Sequence, residues 1–283
     1  MKNIRIIPRL DIKGPNLVKG VHLEGLRVLG NPSSFAKYYY DNGADEIIYQ
    51  DTVASLYERN SLDNIISQTA KEIFIPLTVG GGLRSIEDIE RVLRSGADKV
   101  SINTAAVSNP DFIDKASLRF GSSTIVIALE CLKKADGEFY LFTDNGREET
   151  NIEASEWAKE IELRGAGEIF LTSIDKEGTG KGFDIELTKL ISDSVKIPVI
   201  AHGGCSNTNH IPEVITSGKA DAISLASMLH YHAIDNLTSD DKFSEGNIEF
   251  LKSKKNFKNF EEISLKDIKQ ALFDKGISVR NNL

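Results

Sequence analysis

Ile75-Pro-Leu-Thr-Val-Gly-Gly-Gly82 and Ile197-Pro-Val-Ile-Ala-His-Gly-Gly204 are two copies of one pattern, 122 residues apart. In each copy a short apolar run closes on glycines, and thirteen residues separate the last of these from a further glycine, Gly96 or Gly218. Gly43 and Gly165 fall at equivalent places, so four turn glycines stand at intervals of 53, 69 and 53 residues. Each half of such a duplicated chain must bury its apolar strands against the other, which dictates architecture before any single motif is read.

Working outward from these copies, short apolar runs occur at 6–10, 46–50, 76–79, 99–102, 124–129, 168–171, 198–201 and 222–225. Amphipathic segments separate them, such as Ser85-Ile-Glu-Asp-Ile-Glu-Arg-Val-Leu-Arg-Ser95, where Ser85 and Asp88 resemble a capping box. Eight alternating strand–helix units predict an α/β fold with a parallel sheet closed into a (β/α)8 barrel. The expected organisation is one domain over 1–283, with half-barrels at 1–120 and 121–283. Between about 236 and 262 the chain turns polar and Lys-rich, which reads as an insertion ahead of a final helix at 264–275. Such compositions usually make solvated loops; following strand eight, this one also lies where a lid would emerge.

The formal charge of −8, without a dense Lys/Arg cluster, argues against nucleic acid and anionic membranes as partners. An anionic substrate would need local donors. Two cysteines, Cys131 and Cys205, are too few for a disulfide framework and suit a reducing cytoplasm. The histidines His22, His202, His210, His230 and His232 form no convincing ligand set, so neither metal nor redox cofactor is expected; His230 and His232 read as surface or helix-end residues.

In this architecture the reacting groups sit where strands end. Asp11 ends the first strand and Glu130 the fifth, half a barrel away, which opposes two carboxylates across the mouth as acid–base chemistry requires. The bland alternative is that each caps a strand or pairs with Lys13 or Lys133. Gly80, Gly81 and Gly82 end the third strand, and Gly203 and Gly204 the seventh. Each set is expected to run into a helix whose bare N–H groups hold an anion. Ser101-Ile-Asn-Thr104 and Ser224-Leu-Ala-Ser227 add donors beside them, so a ligand with a phosphate at each end is implied. Period-two alternation places Arg5, Ile7 and Arg9 on the same inward face as Asp11. Arg5, Glu46, Lys99 and Glu168 all begin strands and are either a charged ring at the barrel floor or four solvated charges.

These residues resemble the cyclase subunit of imidazole glycerol phosphate synthase, a histidine-pathway barrel family. The resemblance runs from about residue 4 to 232 and resumes over the last helix. It is most specific at 35–55, Leu77-Thr-Val-Gly-Gly-Gly-Leu83, Gly96-Ala-Asp-Lys-Val-Ser-Ile-Asn-Thr-Ala-Ala-Val107 and Gly165-Ala-Gly-Glu-Ile-Phe-Leu-Thr-Ser-Ile-Asp175. It implies a cyclase and lyase in which ammonia attacks a bisphosphorylated ribulosyl-aminoimidazole carboxamide compound. The products are imidazole glycerol phosphate and the aminoimidazole carboxamide ribotide, and a glutaminase subunit under the N-terminal face of the barrel supplies the ammonia. By the same resemblance Asp11 and Glu130 are acid and base without a cofactor. Gly82, Asn103 and Thr104 hold one phosphate; Gly178, Gly204, Ala226 and Ser227 hold the other. Lys19 lies in a mobile loop, and Arg5, Glu46, Lys99 and Glu168 gate the ammonia entrance.

The chain departs from the family pattern at Glu130 and Glu177, where Asp is usual, and at Arg9 and His202, where small residues are usual. Inward-facing Arg9 is expected to pair with Asp11 or Asp51, or to obstruct the ammonia path. The departures, with the 236–262 insertion, raise two rival readings: an ammonia-dependent subunit that amidinates sugars of surface polysaccharides, and a catalytically weakened scaffold for a glutaminase.

Overall fold

A computed structural model describes residues 3–21, 24–52, 62–237 and 260–280. The strands are β1 (Arg5–Lys13), β2 (Asn16–Val21), β3 (Glu24–Gly30), β4 (Ile47–Asp51), β5 (Leu77–Gly80) and β6 (Lys99–Ile102). The second half adds β7 (Ile125–Lys133), β8 (Phe139–Thr143), β9 (Glu148–Glu153), β10 (Glu168–Ser173), β11 (Val199–His202) and β12 (Ala222–Leu225). All eight apolar runs are staves of a closed parallel barrel in the order β1-β4-β5-β6-β7-β10-β11-β12. Pairing of β12 back onto β1, from Arg5 against Ala222 to Pro8 against Leu225, closes it. Helices separate most staves, as the amphipathic spacing predicts, and the fold is a (β/α)8 barrel.

The other four strands form two hairpins that the apolar pattern does not reveal. β2 and β3 fold back antiparallel from β1, and β8 and β9 do the same from β7, so the first unit of each half carries the same ornament. Both rise from the C-terminal ends of their staves and therefore border the mouth.

Alternation along β1 sorts its side chains as expected. Ile6, Leu10 and Ile12 pack outward with the helices in the large core. Ile7 points inward to a separate cluster with Ile48, Val126, Ala128, Phe170, Ile200 and Ala222. That cluster fills the barrel with bulky side chains, so the axis is packed rather than an open pore.

Helix 86–94 starts with the predicted reciprocal cap: Asp88 N–H donates to Ser85 Oγ at 3.1 Å, and Ser85 N–H donates to Asp88 Oδ2 at 3.2 Å. Gly43, Gly96 and Gly165 turn with φ of +88°, +118° and +94°. The fourth turn differs, because Lys219 takes the left-handed conformation at φ 60°. Gly218 serves close approach instead, since a Cβ there would sit 2.6 Å from the Val214 carbonyl oxygen.

His230, expected at a surface or helix end, is fully buried beside Tyr39, whose hydroxyl lies 2.6 Å from Nδ1. Burial pushes its pKa down to about 3. His232 is half-buried, and His22 lies outside the described residues, as does most of the polar insertion. Among the described residues no helix is long and apolar enough to cross a membrane.

The final helix, 265–274, is capped by Ser264 and buries Leu265, Ile268 and Leu272. Its Lys269 Nζ donates to Asp45 Oδ1 at 2.8 Å, while Asp45 Oδ2 accepts the Ile6 N–H at 2.8 Å. This buried pair ties the end of the chain to the first stave. Truncating one member leaves the other charge uncompensated, so Asp45→Ala is expected to cost ~3–5 kcal/mol in urea unfolding. A loss under ~1 kcal/mol would show that the last helix is held by packing alone.

Candidate functional site at the barrel mouth

Asp11 and Glu130 stand on β1 and β7, four staves apart, and both are buried. Their surroundings differ. Asp11 Oδ1 accepts from Arg9 Nε at 2.7 Å, and Lys19 Nζ lies 3.8 Å from Oδ2. Glu130 Oε2 accepts from Asn103 Nδ2 at 3.1 Å, and the carboxylate also takes the Gly146 N–H from the β8–β9 turn. Burial raises its pKa to about 7, against the opposing pull of the Arg9 charge and these two donors. Lys133 does not serve as the pairing cation, because its Nζ turns outward to Glu186 Oε2 at 2.5 Å.

A cavity of about 430 Å³ opens on the first half of the mouth, lined by Gly81, Gly82, Asn103, Thr104 and Glu130 among others. Gly81 and Gly82 have φ of +102° and +69°, and a Cβ on Gly81 would lie 2.3 Å from the Asp51 carbonyl oxygen. The helix that follows this turn, the one expected to hold an anion, is 86–94, and it starts with the reciprocal cap. Its capping box takes the Asp88 N–H, and Arg84 N–H donates to Asp88 Oδ2 at 3.1 Å. The short helix 104–108 begins beside the same cavity, and Asn103 makes no side-chain cap for it. Thr104 Oγ1 accepts the Asp144 N–H at 3.1 Å, which draws the β8–β9 turn over the cavity.

The second half repeats this backbone. Gly203 and Gly204 turn at φ of +101° and +90°, and Gly178 at +70°. Ala226 holds φ −127°, ψ −83°, nearly the values of Asn103 at −125° and −85°, and it too precedes an uncapped helix, 227–236, that starts at Ser227. None of these residues lines the 430 Å³ cavity. Lys19, expected in a loop, is on β2 of the first hairpin and is buried in an ion pair with Glu177. His202 donates from Nδ1 to the Ser224 carbonyl at 3.0 Å, and its Nε2 lies 3.9 Å from Glu177 Oε1. Burial, then the positive charge of Arg9, holds its pKa well below the usual histidine value.

At the opposite end, the four strand-start charges meet. Arg5 donates to Glu46 Oε1 at 2.6 Å and to Glu168 Oε1, and Lys99 Nζ donates to Glu46 Oε2 at 3.0 Å and Glu168 Oε2 at 3.1 Å. The ring is closed, each cation bridging both anions. Burial favours the neutral Arg5, but Glu168 and Glu46 outweigh it and raise its pKa above the ordinary arginine value. Between the ring and the mouth lies the apolar layer around Ile7 and Phe170.

The expected residues thus fall at the two ends of one axis. The mouth also contains groups the strand-end reading missed: Arg84, Asp144 and Asn145 line the cavity. Asp144-Asn-Gly146 is a hairpin-turn sequence between two strand-like runs, and Asp136-Gly137 is another, so a signal for the second hairpin was present.

Because folding raises the Glu130 pKa to about 7, protonated Glu130 is accommodated at low pH, and that contribution to stability is lost as pH rises through 7. Glu130→Gln is therefore expected to be more stable than the parent at pH 8, by ~3 kcal/mol, with the advantage gone near pH 4. Denaturant titrations across this range check the sign; a parent that gains on the variant toward pH 8 contradicts it.

A model of the histidine biosynthesis protein family matches residues 5–235. An imidazole glycerol phosphate synthase subunit HisF from Legionella pneumophila is 59% identical over 204 residues, covering 72% of this chain and 96% of that protein. The HisF subunit of Methanocaldococcus jannaschii is 50% identical over 246 residues, 80% of this chain and 90% of its own length. That of Trichormus variabilis is 48% identical over 234 residues, 82% and 91%. With a barrel whose every stave lies inside the matched span, the chain belongs to the histidine biosynthesis protein family.

Proposed function

We propose that the chain is the cyclase subunit of an imidazole glycerol phosphate synthase. It uses ammonia to convert a bisphosphorylated ribulosyl-aminoimidazole carboxamide compound to imidazole glycerol phosphate and the aminoimidazole carboxamide ribotide. The observation that carries the reading is the pair of unequal buried carboxylates on opposite staves, Asp11 against Arg9 and Glu130 with a pKa of about 7. The turns at Gly81–Gly82 and Gly203–Gly204, with the uncapped starts at Thr104 and Ser227, flank that pair and anchor the two phosphates. Gly178 lies with the second set.

Addition of ammonia to the ketone of the ribulosyl arm forms a carbon–nitrogen bond and moves a proton from nitrogen. Loss of water then requires a proton on the departing oxygen. Asp11, an acceptor held by a guanidinium, takes the first proton. Glu130, about half protonated near neutrality, gives the second. Anchoring both phosphates fixes the reacting centre between the two groups, which is where orientation lowers a barrier most. Lys19, on the hairpin over the mouth, helps exclude water when the site is filled.

Ammonia enters through the floor, past Arg5, Glu46, Lys99 and Glu168, from a glutaminase subunit docked on the N-terminal face. Support comes from the exposed large apolar residues. Phe74, Leu118, Leu163 and Phe273 all lie near the ends of helices or in the turns that lead into staves, which places them on that face. The HisF relatives described above carry a synthase name, and none carries a polysaccharide or scaffold name.

Purified chain supplied with the bisphosphorylated substrate and a high concentration of ammonium should turn over without a partner. Asp11→Asn and Glu130→Gln should each lower kcat by ~10²–10⁴-fold. No turnover by the parent, with none gained in Glu130→Asp, would exclude the reading. Phe74→Asp should weaken glutaminase association while leaving ammonium-driven turnover unchanged; tight binding by that variant removes Phe74 from the interface.

A further inference from the structure

Arg9 is a fully buried cation placed where a packed barrel normally puts an apolar side chain. Its neighbours above and below on the same face are Asp11 and Ile7, and Ile7 belongs to the apolar layer. From β1 the side chain crosses the axis: Nη1 lies 3.5 Å from Thr172 Oγ1 on β10, and the guanidinium sits over the Phe170 ring, 5.4 Å from its centroid. Nε is committed to Asp11 Oδ1 at 2.7 Å, and Nη2 has no hydrogen-bond partner among the described residues. Desolvating a guanidinium is costly, and a single carboxylate with one long hydroxyl contact is thin compensation for a role in packing alone.

The charged groups around it divide by element. Asp11 is its direct partner on β1, Glu177 lies beyond β10 and Lys19 on β2; His202 is on β11 and Glu130 on β7. Glu130 in turn faces Arg9 and Asp11 from β1, Asn103 beyond β6 and the Gly146 N–H from the β8–β9 turn. Asp51, Arg84 and Asp144 also line its cavity. Among the described residues Arg9 thus reaches both opposed carboxylates, Asp11 by contact and Glu130 across Thr172, whose register partner on β7 is Glu130.

We propose that Arg9 is a positioning residue for the acid–base pair, orienting Asp11 by its hydrogen bond and supplying the fixed positive charge that faces Glu130 from beneath. Thr172 and the Phe170 ring hold the guanidinium across the axis, so its charge does not swing out to solvent. The same placement fills the axis directly under the mouth. The kinetic part of the inference rests on the cyclase reading; the electrostatic part does not, and the test separates them.

The test is carbon-13 NMR titration of protein labelled at glutamate carboxyls, with Glu130→Gln identifying the signal, in Arg9→Met and Arg9→Lys. Loss of the charge in Arg9→Met should move the Glu130 midpoint upward by about one pH unit, and Arg9→Lys should largely restore it. Arg9→Gln gives a second neutral variant should Arg9→Met fail to fold. Under ammonium-driven turnover, Arg9→Met should lower kcat by about tenfold or more with KM little changed, and shift the pH profile in the same direction as the titration. A Glu130 midpoint that stays at its parental value in folded neutral variants overturns the proposal. If the midpoint moves while parent and variants all fail to turn over, Arg9 keeps its electrostatic place and the cyclase reading falls.

Discussion

Closure of the sheet through the β12–β1 pairing is the constraint on which the rest depends. Once eight parallel strands close, every second side chain points into a space that must be filled in layers, and strand register decides the level at which each lies. From floor to mouth, β1 contributes Arg5, Ile7, Arg9 and Asp11 to successive levels. The charged ring, the apolar layer, the buried guanidinium and the mouth carboxylate are therefore consequences of one register. A slip of one residue would send all four to the helix side.

Most of the interior charges among the described residues are balanced by an opposite charge. Arg5 and Lys99 balance Glu46 and Glu168; Arg9 pairs with Asp11, Lys19 with Glu177, and Lys269 with Asp45. Glu130 is instead held by an amide and a backbone N–H, and its pKa is about 7. A carboxylate with hydrogen-bond donors but no contacting cation carries much of the cost of its own burial. That is the condition under which a carboxyl group retains a proton near neutrality. The two halves of the barrel are alike in backbone, as Asn103 and Ala226 show, and unlike in what surrounds their carboxylates.

Much of this was legible in the chain because it is periodic. The eight staves, the Ser85 cap, the last helix and the inward face of β1 follow from spacing and alternation, whereas spacing leaves open whether the four floor charges meet or stand apart in solvent. What escaped depends on contacts remote in sequence or on turns inside polar stretches. His230 is buried because Tyr39, 191 residues away, receives its ring, and no local pattern announces that. The hairpins carry charged and glycine residues that mask their alternation, although Asp136-Gly137 and Asn145-Gly146 mark one of them.

The account stands on a substrate held at both ends across Asp11 and Glu130, and phosphorus-31 NMR of the bisphosphorylated substrate titrated with this protein examines that claim directly. Both phosphate resonances should shift and saturate along one binding curve. Movement of a single resonance, with the other keeping its free-solution position at saturation, would contradict two-ended recognition and with it the placement of the reaction between the two carboxylates.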